Sequence, residues 1–212
     1  MTFNNLNFKT LKSDAENFRI PPYDSYIESY PEFLQYFENI TSIEKHHLII
    51  SSHFAYGWMP TILNLETKEI DRILSLLNAV KAGHLLDLEE IKTLKNCINN
   101  SLVGLSKLLH FINPGNYAIW DSRIFRYLTG KKSPYGIDQP ELYLQYLQGL
   151  NEIFENKNYI ELHSIIEGKF DCQLTPMRAI EILMFETDKV RKSSLKNVIG
   201  HTNVNCEVGS GC

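Results

Sequence analysis

Apolar residues recur along this chain at the spacing of amphipathic helices. Ile70, Ile73, Leu74 and Leu77 follow one another at i, i+3, i+4 and i+7, which places them on one helix face. Similar spacing returns in several other segments, and no long segment alternates apolar and polar residues as a half-buried strand would. The pattern predicts an all-α protein. Its 212 residues are enough for one compact domain or for two small helical lobes around a shared cleft.

Residues that start or stop helices set the predicted boundaries. A long helix is predicted from Thr61 to Ala82, with Gly83 just beyond its end and Asp87 as the cap of the next helix, because glycine and aspartate favour those positions. Pro31 is expected at the first position of an early helix. The aromatic-rich segment 53–60 contains Gly57 and Pro60 and is predicted to be a turn.

Composition narrows the class of protein. Apolar residues make up 43% of the chain and charged residues 22%, which is typical of a globular protein. The chain has no apolar run long enough for a membrane span, no secretory signal pattern, and four scattered cysteines without a C-x-x-C pair. We therefore expect a cytoplasmic protein with one helical domain over residues 1–195 and a disordered tail over residues 196–212.

Charge is distributed unevenly. The net charge is −4, yet residues 91–132, which we call the basic band, hold seven lysines and arginines and one acid. Such a band is expected on a surface that faces phosphates. A solvated helix face without a ligand would show the same pattern, so both interpretations stay open.

The acid in the basic band, Asp121, begins a predicted helix. The segment Ser101–Gly130 reads as a helix, a tight turn at residues 113–116 and a second helix opened by Asp121. An aspartate before a helix is usually an N-cap, worth ~1 kcal/mol. Trp120 precedes it, and Arg123 and Arg126 follow at i, i+3, where they are placed to meet phosphates. Asp121 is therefore either a cap or a catalytic carboxylate.

The sequence I-W-D-S-R-I-F-R-Y-L resembles the signature of helix-hairpin-helix DNA glycosylases. In that family a helical hairpin grips DNA phosphates, and a downstream aspartate is followed by a small polar residue, an aliphatic residue and an arginine. Asp121, Ser122, Ile124 and Arg126 match these positions. Residues 103–107 stand where the family has a hairpin with two glycines, but they contain one.

The resemblance implies two lobes around a cleft, with the hairpin and catalytic segment within residues 101–130. It implies hydrolysis of the N-glycosidic bond of a flipped-out damaged or modified base, including a bulky phage-type cytosine such as glucosylated hydroxymethylcytosine. Asp121 would stabilise the oxocarbenium ion and activate water. Lys107 lies near the place of the family's Schiff-base lysine, but only fourteen residues before Asp121, which favours a monofunctional enzyme.

The remaining expectations concern partners and binding residues. The predicted partner is double-stranded DNA, bound by a monomer without a cofactor. Three nearby histidines complete no metal site, so no metal is predicted, and His110 is a candidate for proton transfer. The aromatic segment 53–60 either fills the core or offers a base-stacking surface. The predicted DNA-binding residues are Gly104, Ser106, Arg123, Arg126, Lys131 and Lys132, and the predicted base-pocket residues are Tyr56, Trp58 and Trp120.

Two other functions fit the same sequence. A non-catalytic helical DNA-binding or regulatory module would use the basic band and need Asp121 only as a cap. A helical protein-interaction domain is favoured by the overall acidity.

Overall fold

The computed structural model describes residues 3–20, 25–57 and 62–202, and these residues form ten α-helices and no strand. The prediction of an all-α fold is confirmed. The helices are α1 Phe8–Asn17, α2 Ser25–Glu38, α3 Lys45–Gly57, α4 Ile70–Lys81, α5 Leu88–Cys97, α6 Leu102–Ile112, α7 Ser122–Thr129, α8 Pro140–Phe154, α9 Tyr159–Glu167 and α10 Pro176–Thr202.

Two helices organise the packing. Helix α6 contacts α2, α3, α4 and α5, whereas α10 contacts α1, α7, α8 and α9. Buried side chains of both sets belong to one hydrophobic cluster. Every residue of α6 except Val103 is buried, including Ser106, Lys107 and His110. This helix therefore places polar and ionisable side chains in the core, where each needs a hydrogen-bonding or charged partner.

Several predicted boundaries were wrong. Helix α4 begins at Ile70 instead of Thr61, because Leu65 forms a single antiparallel bridge with Ile98 and that bridge holds the preceding segment extended. Pro31 lies inside α2 instead of at its start. The predicted turn over residues 53–60 is helical up to Gly57, and the rest of it lies outside the described residues.

Helices lie near both ends of the described chain. Helix α1 begins at Phe8, and Asn7 caps it by accepting from the amide of Thr10. Helix α10 continues to Thr202, so residues 196–202 are helical where disorder was predicted. Residues 203–212 lie outside the described part of the chain.

Over residues 3–20, 25–57 and 62–202, no helix combines the length and the apolar content needed to cross a bilayer.

A buried charge cluster around Asp121

Asp121 is the N-cap of α7, as the sequence predicted. Its Oδ1 accepts hydrogen bonds from the amides of Arg123 and Ile124, at 2.8 and 2.9 Å. Its Oδ2 takes no part in this cap, and the residue is partly exposed to solvent. One carboxylate oxygen thus orders the helix, which leaves the other for a second role.

Ser106 fastens the segment before Asp121 to α6. Its Oγ accepts from the Trp120 amide at 2.9 Å, and its single hydroxyl hydrogen is within reach of the carbonyls of Val103 (3.0 Å) and Trp120 (3.1 Å). The next residue along each segment is Lys107 on α6 and Asp121 at the start of α7. This clamp therefore fixes the backbone that carries both charged side chains.

The charges of Lys107 and Asp121 influence each other. Lys107 is only 6% exposed. Burial lowers the pKa of Lys107, while the carboxylates of Asp121 and Glu181 raise it. Burial raises the pKa of Asp121, and the amide of Ile124, the ammonium of Lys107 and the amide of Arg123 each oppose that rise. Each charge favours the ionised form of the other, but burial is the larger effect, so the pKa of Lys107 remains lowered and the pKa of Asp121 remains raised.

Arg178 and Glu181 of α10 complete the site. They are 5% and 2% exposed and form an ion pair one helical turn apart. Burial and the charge of Asp121 together raise the pKa of Glu181 to about 7, against the attraction of Arg178. We call Lys107, Asp121, Arg178 and Glu181 the charge cluster. It joins two bases and two acids from three places in the chain.

The two α10 members of this cluster were not predicted from the sequence. Arg178 and Glu181 stand at i, i+3 within an otherwise apolar run, Met177–Met184. Two opposite charges at that spacing inside an apolar helix form a recognisable signal, because buried charges are almost always paired.

A tyrosine hydroxyl also faces the cluster. Tyr146 of α8 is fully buried, and its hydroxyl finds no hydrogen-bond partner among the described residues. Burial, together with the charges of Glu181 and Asp121, raises the pKa of Tyr146 well above its usual value. The phenol of Tyr146 therefore stays protonated.

His110 has a structural role instead of the predicted part in proton transfer. Its Nδ1 lies 2.6 Å from the carbonyl oxygen of Tyr117, which only accepts, so this nitrogen carries the hydrogen. Tyr30 then donates its hydroxyl to Nε2 at 2.9 Å. Burial and the charge of Arg178 lower the pKa of His110 to about 3, which keeps the ring neutral.

Gly104 and Ser106 do not bind phosphate as predicted. Both lie inside the buried helix α6. A Cβ on Gly104 would come within 2.7 Å of the Tyr56 ring, so this glycine serves close packing. At the start of α6 the amide of Leu102 donates to the carboxylate of Asp138 at 2.8 Å. The Asp138 carboxylate therefore occupies the place that a phosphate would take at the N-terminus of α6.

Two asparagines form the turn between α5 and α6. Asn99 and Asn100 have φ values of 54° and 50°. Asparagine tolerates this left-handed region better than most residues. Residues 103–107, where the hairpin was predicted, lie inside α6 instead of in a turn.

The predicted base pocket is not formed by its described members. Trp120 is fully buried and donates its indole N–H to the carbonyl of Ile137 at 2.9 Å. Tyr56 is 5% exposed and packs on Gly104. Both residues fill the core, which corrects their assignment to a pocket. Trp58 lies outside the described residues.

The predicted phosphate-binding cations divide into two groups. Arg126 is held by both carboxylate oxygens of Asp188, with its Nε at 2.8 Å from Oδ1, so its assignment to phosphate was wrong. Arg123 is partly exposed, 3.8 Å from the same carboxylate. Lys131 and Lys132 are exposed. These three residues remain predicted DNA ligands.

Among the described residues, no group of three or more histidines, cysteines and carboxylates is placed to hold a metal ion. No known protein family, curated protein or solved structure matches this chain.

Proposed function

We propose that the protein is a DNA glycosylase that removes a flipped-out damaged or modified base from double-stranded DNA. The observation that carries this proposal is the electrostatic interaction between Asp121, a partly exposed residue, and the buried side chain of Lys107. An ionised carboxylate suits a reaction in which a sugar becomes positive, and the charge of Lys107 favours the ionised form of Asp121.

The reaction requires few steps. As the N-glycosidic bond breaks, its electron pair leaves with the base, and positive charge develops on the sugar ring, as in other glycosidic cleavages. The Asp121 carboxylate stabilises that charge and takes a proton from a water molecule that attacks the anomeric carbon. The products are the free base, protonated from solvent, and an abasic site.

We assign Lys107 an electrostatic role. Its ammonium lowers the pKa of Asp121 and so favours the ionised carboxylate. Its side chain is almost wholly buried, which favours this role over attack on the sugar. The enzyme is therefore proposed to be monofunctional, and borohydride trapping tests this directly: a covalent Lys107–DNA product would overturn it.

The proposal includes an architecture and a setting. We propose that α5 and α6, joined at Asn99 and Asn100, are the hairpin of a helix-hairpin-helix-like fold, with the substrate in a cleft between two helical lobes. The protein would act as a cytoplasmic monomer. Duplexes carrying plain, damaged and glucosylated hydroxymethylcytosine bases, assayed for alkali-labile abasic sites, test the activity. If no duplex yields such sites, the glycosylase proposal fails.

One observation favours a second function. Both amides that Asp121 caps bind the same oxygen, and this geometry is complete without any substrate. A non-catalytic DNA-binding module would need nothing more from this residue. Substituting Asp121 with asparagine, which keeps the cap and removes the charge, separates the two functions.

A further inference from the structure

Tyr135 is the most exposed aromatic side chain in the described part of the molecule. It is 86% exposed, whereas Phe54, the other described aromatic that is largely exposed, is 41% exposed. Most other described aromatic rings pack into the core or against it. An aromatic ring left in solvent has lost the usual stabilisation from burial, so its position calls for a functional explanation.

The loop that carries Tyr135, residues 130–139, is anchored to the core. The Ile137 amide donates to the carbonyl of Pro134 at 3.0 Å, closing a turn around Tyr135, and the carbonyl of Ile137 accepts from the indole of Trp120. Asp138 accepts from the Leu102 amide at the start of α6. These contacts hold both the turn and the residues after it, so the loop presents Tyr135 on a fixed backbone.

Two cations accompany the ring. Residues 122–137 contain four bases and no acid. Arg123 and Arg126 face Asp188, but Lys131 and Lys132 are exposed and form no ion pair with any described residue. Lys131 also lies 5.7 Å from the ring centroid of Phe125. An exposed ring on the same loop as two exposed lysines matches DNA, whose bases stack on aromatics and whose phosphates bind lysine.

The loop lies next to the charge cluster along the backbone. Ile137 is hydrogen bonded to Trp120, and Trp120 directly precedes Asp121. Ile137 is two residues from Tyr135. Extended chain spans at most ~3.5 Å per residue, so a nucleotide beside Tyr135 would lie near the one presented to Asp121.

We infer that residues 131–137 form a DNA-probing loop, in which Tyr135 stacks on a base next to the target nucleotide while Lys131 and Lys132 bind phosphates. This inference rests on the proposed function only for its substrate, DNA, and not for the chemistry at Asp121.

Binding measured without turnover tests the inference. The probe is a short fluorescein-labelled duplex with a tetrahydrofuran abasic analogue and an adjacent 2-aminopurine, titrated with the Asp121→Asn protein. We expect Tyr135→Phe to bind as the parent does and to quench 2-aminopurine. Tyr135→Ala is expected to weaken binding by about five- to a hundredfold, the range for loss of one base–aromatic stack, and to abolish the quenching.

Two controls define the loop's role. Ile160→Ala removes another exposed apolar side chain, 79% exposed, on α9 and should leave DNA affinity unchanged. Replacing Lys131 and Lys132 with glutamine should reduce the salt slope of the binding constant by about 2, because each phosphate contact contributes ~0.9. Tyr135→Ala should leave that slope unchanged.

The outcomes separate the inference from the glycosylase proposal. Parent-like affinity and quenching in Tyr135→Ala would overturn the probing loop, even if the wild-type protein excises bases. Weakened binding in Tyr135→Ala, in a protein that releases no base from any duplex, would keep the loop and overturn the glycosylase. Absence of any salt-dependent DNA binding would overturn both.

Discussion

Replacing Asp121 with asparagine separates the structural role of this residue from its chemical role. The carboxylate caps α7 through two amide hydrogen bonds of 2.8 and 2.9 Å to one oxygen. An asparagine side-chain oxygen makes the same bonds, and asparagine is among the best N-cap residues. The substitution therefore removes a negative charge from the charge cluster and leaves the cap in place.

The expected magnitudes differ sharply between stability and activity. Asp121→Ala loses the cap, which costs roughly 0.5–2 kcal/mol and lowers the melting temperature of a chain of this size by about 2–4 °C per kcal/mol. Asp121→Asn should stay close to the wild-type melting temperature. Both variants should lose base excision by about 10²–10⁴-fold, the usual contribution of a general base.

The assay is single-turnover excision on the best duplex of the substrate panel, alongside thermal unfolding of each variant. Asp87 provides the matched control, because it caps α5 by accepting from the Glu90 amide at 2.8 Å and lies outside the cluster. Asp87→Ala should cost similar stability, Asp87→Asn little, and neither should change excision. If Asp121→Asn keeps wild-type excision, Asp121 is only a cap and the catalytic assignment is refuted.

Three further predictions follow from the cluster and its surroundings. Lys107→Met removes the cation that lowers the pKa of Asp121, so the acid limb of the pH–rate profile should move to higher pH. Lys107→Arg keeps the positive charge and should leave that limb near its wild-type position. If the limb does not move in Lys107→Met, Lys107 has no part in the mechanism. The pKa of Glu181 rises from 4.5 to about 7 on folding, so with rising pH the unfolded chain releases this proton before the folded chain does. The free energy of unfolding, measured by urea titration, should therefore fall between pH 4.5 and 7. If the same fall is seen in Glu181→Gln, Glu181 is not its cause. Arg126→Ala removes the hydrogen bonds to Asp188 and should lower the free energy of unfolding by about 1.5–3 kcal/mol. It should leave the salt dependence of the DNA-binding constant unchanged. If the slope of that dependence falls by about 1, Arg126 is a phosphate ligand after all.

Local sequence rules predicted the helix starts that depend on one residue and its neighbours. Asp87 and Asp121 stand at the starts of α5 and α7, and each accepts from the amide three residues on. These predictions were right because a cap is a contact within one turn. Helix α4 was predicted nine residues too early because its true start depends on the pairing of Leu65 with Ile98.

The candidate site was only half predictable for the same reason. Asp121 and Lys107 could be proposed from a segment of thirty residues, and in the structure each shifts the pKa of the other. Glu181 and Arg178 lie some sixty residues farther along and enter through the packing of α10 against α7. The prediction that α6 residues bind DNA was wrong, because hydropathy at single positions did not reveal that almost the whole helix is buried.

The cost of the charge cluster is itself an argument about its purpose. Transferring several ions into the core is expensive, and replacing a buried ion pair with apolar residues of similar volume is often neutral or stabilising. Lys107, Arg178 and Glu181 are each at most 6% exposed, inside a core built mostly from apolar and aromatic residues. Stability alone therefore does not explain these charges. The proposed catalytic role of Asp121 would account for them, because shifted pKa values are concentrated where proteins perform proton chemistry.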